Sequence, residues 1–199
     1  MEAGSGLRLV NLSMSETPTK KIRYIDEMVR AMGYLASDPR TIFLGQSVRW
    51  PGNVIYKTIS SLPEAQRIEL PVFEETQMGM SIGLALQGKV PISIFPRFNF
   101  LLCAMNQLVN HLDKIPAITH NKTWPRVIMR TSIGSERPLF PGMQHSGDFT
   151  EAFRLLVPNI EVVRLDEPEQ IFPAYERAFT RKDGKSTLLI ECGDYYNEK

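Results

Sequence analysis

IELPVFEETQMGMSIGLALQGKVPISIFPRFNF, residues Ile68 to Phe100, is the stretch whose reading decides the fold. It divides into a strand (Ile68–Val72), an acidic pair (Glu74, Glu75), a small-residue helix (Thr76–Gln87), a stop at Gly88 and a second strand (Val90–Phe95). The aromatic run Phe98-Asn99-Phe100 closes it. Within the helix, Met78, Ile82 and Leu86 form an apolar stripe for a core. Gly79 and Gly83, four residues apart, leave room for a neighbouring helix or a ligand. A carboxylate between a strand end and a helix start stands at the crevice where open α/β sheets bind ligands. Acidic residues in a first helical turn also complement the helix macrodipole. Residue pattern alone leaves capping and chemistry both open for Glu74 and Glu75.

Working outward, the same alternation continues in both directions. Residues 1–19 read as a flexible leader rich in Gly, Ser and Thr, and 20–199 as one domain. A helix is expected over Lys20–Ala36, a short strand over Thr41–Leu44, and a loop over Gln46–Asn53 turned by Trp50-Pro51-Gly52. A further helix follows from about Val54 to Ser61. Beyond the central unit come a helix over Phe100–Leu112, a strand over Arg126–Met129 and an irregular run over Thr131–Gly147. The chain then reads as helix (Asp148–Leu156), strand (Ile160–Leu165), helix (Pro168–Thr180) and strand (Thr187–Glu191). This pattern predicts an α/β fold, a doubly wound, mainly parallel sheet with helices on both faces.

Composition narrows the function classes. With 199 residues, 43% hydrophobic and 23% charged, the chain suits one ordinary α/β core. A net charge of +1 gives no ground for nucleic acid as a partner. No stretch approaches the roughly 20 apolar residues of a membrane span. The N-terminus shows no signal-peptide pattern, and Cys103 and Cys192 read as buried thiols without metal-ligand spacing. The expectation is a cytoplasmic protein.

Few groups can do chemistry. Of three histidines, His111 on a helix and His120 beside a loop read as structural or solvated. His145, in Gly142-Met143-Gln144-His145-Ser146-Gly147, lies in a Gly/Pro-punctuated loop that can reach a cleft and titrate near neutrality. It is equally compatible with a plain loop residue. No metal quartet, no Ser-His-Asp order and no phosphate-binding glycine pattern is present in the sequence. Gly193-Asp194 is followed by only five residues, too few for the downstream asparagine of a glycine–aspartate–glycine magnesium site. Carboxylate, aromatic platform and histidine together make half a site.

Leu70-Pro71-Val72-Phe73-Glu74, then Gly79, Ile82-Gly83, Ala85, Gly88 and Pro91, resembles the pyrimidine-binding domain of thiamine-diphosphate enzymes. The nearest resemblance is to the β-subunit of the decarboxylating component of 2-oxo-acid dehydrogenases. Phe98-Asn99-Phe100 with Ala104, Gln107 and Asn110 is similar to that family's segment after the third strand. Gln144-His145-Ser146 is similar to its active-site histidine motif, and Ile160–Val163 and Leu188–Glu191 to its last two strands.

The resemblance implies that Glu74 hydrogen-bonds a ring nitrogen of the cofactor's aminopyrimidine, favouring the imino tautomer that takes the thiazolium proton. It further implies Phe100, with Phe98, as the aromatic contact to the cofactor and His145 as a catalytic contact to substrate. Thiamine diphosphate would be shared with an α-type subunit that holds the diphosphate and magnesium, in an α2β2 assembly. The reaction implied is decarboxylation of a 2-oxo acid. A split transketolase-like ketol transferase and a non-catalytic partner that stabilises an α-subunit through the Gly79–Gly83 face are the alternatives.

Several features depart from the family pattern. Phe73 precedes Glu74, Glu75-Thr76 follow it, and Gln46 stands where an acidic residue is common. The loop Ser132–Pro141 carries Glu136 and Arg137. The family's C-terminal domain has no expected counterpart here, which speaks against a conventional dehydrogenase complex, and a half site without a phosphate anchor makes a split enzyme the expectation.

Overall fold

A computed structural model describes residues 22–137 and 140–199. The leader expected over 1–19 lies outside the described residues. Six strands form one sheet: β1 (Thr41–Gly45), β2 (Arg67–Glu69), β3 (Val90–Phe95), β4 (Ile128–Ile133), β5 (Glu161–Leu165) and β6 (Thr187–Cys192). Every pairing is parallel and the order is β2-β1-β3-β4-β6-β5. The expectation of a mainly parallel, doubly wound sheet therefore holds.

Side chains alternate between two cores, as strand geometry requires. On β6, Leu188, Ile190 and Cys192 join one core, and Leu189 the other. One face is covered by α1 (Tyr24–Ala36) and α6 (Pro168–Thr180), which contribute Met28, Met32, Leu35, Ile171 and Tyr175. The other is covered by α2 (Glu74–Leu86), the helical run beginning with α3 (Phe98–Leu101), and α5 (Thr150–Leu156). That core contains Met78, Ile82, Leu101, Leu108 and Phe153. Two further short helices, α4 (Ile115–Ile118) and α7 (Tyr195–Glu198), lie outside any sequence expectation.

Several boundaries need correction. The strand expected over Ile68–Val72 is only Arg67–Glu69; Pro71 lacks an N–H, and Pro71, Val72 and Phe73 are exposed at the sheet edge. Val54–Thr58 is a 3-10 turn rather than a longer helix, started by Asn53 Oδ1 accepting from Tyr56 N at 3.2 Å. The helix expected over Phe100–Leu112 is broken. After α3 come a 3-10 turn (Leu102–Ala104) and a π-helical turn (Asn106–Leu112), closed by Asp113 N donating to Leu108 O at 3.0 Å.

β4 runs to Ile133, four residues beyond the expected end. Its polar Thr131 and Ser132 are buried, and Ser132 Oγ donates to Pro96 O at 2.6 Å. On α2 the buried set is Glu74, Gln77, Met78, Ser81 and Ile82, whereas Leu86 is exposed. Cys103 is likewise exposed; Cys192 alone of the two free thiols is buried.

Behind the sheet's carboxyl end sits a buried polar cluster. Arg130 of β4 donates a fork of hydrogen bonds to the Glu191 carboxylate of β6, with both side chains fully buried. Arg130 also donates to Thr58 Oγ1 and Tyr196 OH, each at 2.8 Å, and Tyr175 OH donates to Glu191 at 2.8 Å. Burial opposes the charge on Arg130, but the facing Glu191 carboxylate outweighs it and holds the guanidinium's proton more tightly than usual.

Candidate active site

The chain leaves β1 to form β2 on one side and returns to form β3 on the other, so the sheet's direction of growth reverses at β1. The crevice above the carboxyl ends of β1 and β3 is the place where such sheets bind ligands. Two short contacts define it. Gly45 ends β1 with φ +146°, and a Cβ there would lie 2.3 Å from Ile94 O of β3. Gln77 of α2 donates to Ile94 O at 2.9 Å and to Ser93 Oγ at 3.1 Å.

Glu74 opens α2 directly over this crevice and is only 7% exposed. Gln46, the first residue after β1, donates through Nε2 to Glu74 Oε1 at 2.9 Å. Among the described residues no other hydrogen bond reaches this carboxylate, so Oε2 is an acceptor open to an incoming N–H.

Glu75 faces a different way. Its Oε1 accepts from Asn106 Nδ2 at 2.8 Å and Gln107 Nε2 at 3.3 Å, tying α2 to the π-helical turn. Gly79 faces the same Gln107 side chain, 3.7 Å from where a Cβ would stand. The close approach that Gly79 permits is therefore to the neighbouring helical segment, whereas a Cβ at Gly83 would meet nothing within 4 Å and faces open space. The two adjacent acids have separated roles, one at the crevice and one at a helix contact.

After β3 the chain enters α3. Phe100 is half-buried there, and its ring meets the His145 ring edge-on at 5.5 Å between centroids. His145 Nδ1 lies 3.2 Å from Asn99 Oδ1. With that oxygen accepting, Nδ1 holds the proton and Nε2 is the nitrogen left to exchange one. Phe98, two residues away, is 1% exposed and packs against Phe149 and Phe153 at 5.5 and 4.9 Å. The structure thus brings Phe100 and His145 together and places Phe98 in the core beneath them. His111 and His120 are both exposed.

Three features at the crevice mouth escaped sequence reasoning. Glu69 at the end of β2 accepts hydrogen bonds from the backbone N–H groups of Ser47, Val48 and Arg49, each at 2.7 Å, which sets the loop after β1 with Ser47 at φ +56°. Asp194 accepts from Glu136 N at 2.9 Å and Arg137 N at 3.1 Å, so Gly193-Asp194 fastens the loop after β4. Asn99 Oδ1 lies against His145 Nδ1. Position at or just after a strand end is the sequence signal shared by Glu69 and Asp194. No group of three or more His, Cys, Asp or Glu residues that could hold a metal ion occurs among the described residues.

A parallel sheet with a carboxylate open on one oxygen at its switch point, and a half-buried aromatic ring against a histidine after the next strand, defines an α/β domain with a candidate ligand crevice. The family model for the pyrimidine-binding domain of transketolase matches residues 22–197, and the chain belongs to that family.

Among its relatives, the 3-methyl-2-oxobutanoate dehydrogenase subunit beta of Mycobacterium tuberculosis is 28% identical over 152 residues, 73% of this chain and 42% of that protein. The pyruvate dehydrogenase E1 component subunit beta of Gracilaria tenuistipitata var. liui is 28% identical over 169 residues, 83% of this chain and 50% of that protein. A solved split gene transketolase, described as an inactive beta4 tetramer, superposes with a TM-score of 0.64 over 87% of this chain and 52% of that one. At 16% identity that likeness speaks for the fold alone. The chain spans half or less of the length of these two dehydrogenase relatives.

Proposed function

We propose that this chain is the β-type subunit of a split thiamine-diphosphate enzyme that decarboxylates a 2-oxo acid and passes on the acyl or aldehyde unit. An α-type subunit would hold the diphosphate and magnesium, with the active site lying between the two chains. The observation that carries this reading is Glu74: buried, anchored on one oxygen by Gln46, and open on the other.

The residues fit the aminopyrimidine half of the cofactor. Glu74 Oε2 can share a proton with a ring nitrogen, and exclusion of water strengthens that bond. Gln46 fixes the carboxylate plane, so the free oxygen keeps its direction. Phe100 offers a flat apolar surface for the ring. His145, its Nδ1 oriented by Asn99, leaves Nε2 to bind the substrate's carboxylate or carbonyl oxygen and to hold or return a proton. When bound, thiamine diphosphate supplies the electron sink that lets a 2-oxo acid lose its carboxylate.

The test is co-expression with an α-type partner that contains a glycine–aspartate–glycine…asparagine motif, followed by turnover of 2-oxo acids. The expected result is activity in the complex and none in either chain alone. Turnover by this chain alone, or full activity of the complex after Glu74→Ala, overturns the proposal.

A further inference from the structure

At the opposite end of the strands from Glu74, a second cavity of about 260 Å³ opens at the amino ends of β1, β3 and β4. Five cations line it. Arg40 precedes β1, Lys89 precedes β3, Arg126 lies just before β4, and Arg181 and Lys182 follow α6. Trp124 forms part of the wall, packed so closely on Gly184 (φ +73°) that a Cβ there would stand 2.5 Å from its own Cβ.

The carboxylates nearby account for only part of this charge. Arg40 is held by Asp38 through bonds of 2.7 to 3.2 Å, and Arg181 by Asp183 and Glu161 at 2.6 to 2.8 Å. Arg126 is fixed from behind, donating through Nη1 to Phe179 O at 2.7 Å and Arg181 O at 3.0 Å. Among the described residues, no carboxylate lies within ion-pair distance of Lys89, Arg126 or Lys182. Burial, followed by the adjacent charges of Arg40 and Arg181, makes the Arg126 guanidinium easier to deprotonate than usual, only partly offset by Asp38 and Asp183. A half-buried cation crowded by two others and lacking its own counter-ion is a site that an anion would relieve.

We propose that this cavity binds an oligophosphate group, as free diphosphate or as part of a nucleoside diphosphate. One phosphoryl group has a charge of about −1.5 to −2 at neutral pH, so two linked groups match the three cations left without carboxylates. The ammonium groups of Lys89 and Lys182 and the remaining nitrogens of Arg126, from three separate segments, suit the oxygens of such a chain. Trp124 offers an apolar wall for any ring attached to it. The site is separate from the crevice at Glu74, and the proposal stands whether or not the enzymatic reading does.

The full chain with Trp50→Phe keeps Trp124 as its only indole. It would be titrated with sodium diphosphate and with ADP, free of magnesium and at constant ionic strength, following Trp124 fluorescence and heat. Saturable binding near one equivalent is expected, about tenfold or more weaker after Lys89→Ala with Lys182→Ala, as for loss of charge-assisted hydrogen bonds. Both residues are exposed, so those changes leave folding intact. Lys57→Ala, which removes one charge from a turn outside the cavity lining, should leave affinity unaltered. Tighter binding of ADP than of diphosphate identifies a nucleotide as the occupant, and equal binding identifies the phosphates alone. No saturable binding, or a loss with Lys57→Ala as large as with the cavity variants, overturns the proposal.

Discussion

Gln46 donates to Glu74, and under the proposed function the amide presents the carboxylate that reacts. In the complex with an α-type subunit, Glu74→Gln should lower kcat by about a hundredfold or more, the range for loss of positioned proton transfer. Assembly, followed by size-exclusion chromatography, should be unchanged. Gln46→Ala removes only the anchor, and a loss nearer tenfold is expected from one hydrogen bond to a charged group. Equal losses from both changes would mean that the amide itself takes part.

The Arg130–Glu191 pair belongs to the same scale but to stability. Arg130→Ala should cost about 3–5 kcal/mol in urea unfolding, because a carboxylate is left buried without its partner. Glu74 was legible as an acid at a helix start, but the residue pattern left capping and chemistry both open, and only the family resemblance singled it out. Arg130 and Glu191 were not: they stand 61 residues apart, and each alone reads as a charge breaking an apolar run.

Helices and strands were legible to the extent that one period dominated them. α6 was read residue for residue, with Pro168 at its start and a reciprocal cap between Glu167 and Gln170. The run from Phe98 to Leu112 was misread because its apolar spacing suits one long helix, whereas Asn106 and Gln107 are drawn to Glu75 across a changed helical pitch. β4 was cut short because Thr131 and Ser132 look like loop residues until the neighbouring strands bury them.

Gly45 states the constraint between β1 and β3 most sharply. Gly45→Ala forces a side chain against the Ile94 carbonyl at an unfavourable φ, and a loss of roughly 1–3 kcal/mol is expected in denaturant unfolding. An unchanged midpoint would show that the strands can part there without penalty. The two thiols separate by element as well. Burial pushes the Cys192 thiol up, so less of it is thiolate. Alkylation of the isolated chain at mildly alkaline pH should therefore label the exposed Cys103 first, as read by peptide mass, and Cys192 only on unfolding.

For the whole molecule, alternation of element types was enough to give the sheet class, but not the order of its strands. Nothing local to Thr187–Cys192 says that it will lie between β4 and β5 rather than at an edge; buried partners on both sides decide that. The same limit applies to the candidate site. Its acid, ring and histidine were visible as residue types, while the loops after β1 and β4 are fastened by Glu69 at the end of β2 and Asp194 just after β6.

Placing β6, the last of these six strands in chain order, in the interior of the sheet has an outcome for biosynthesis. A nascent polypeptide halted before residue 187 possesses β4 and β5 but no rung between them, and Arg130 faces an empty slot instead of its counter-ion. Such a fragment exposes two unpaired ladders at once, which invites clumping on the ribosome or in a test tube. A version truncated at Ser186 should be recovered in the insoluble fraction, whereas the intact polypeptide is recovered in the supernatant; comparing the two by centrifugation reads the insertion step directly.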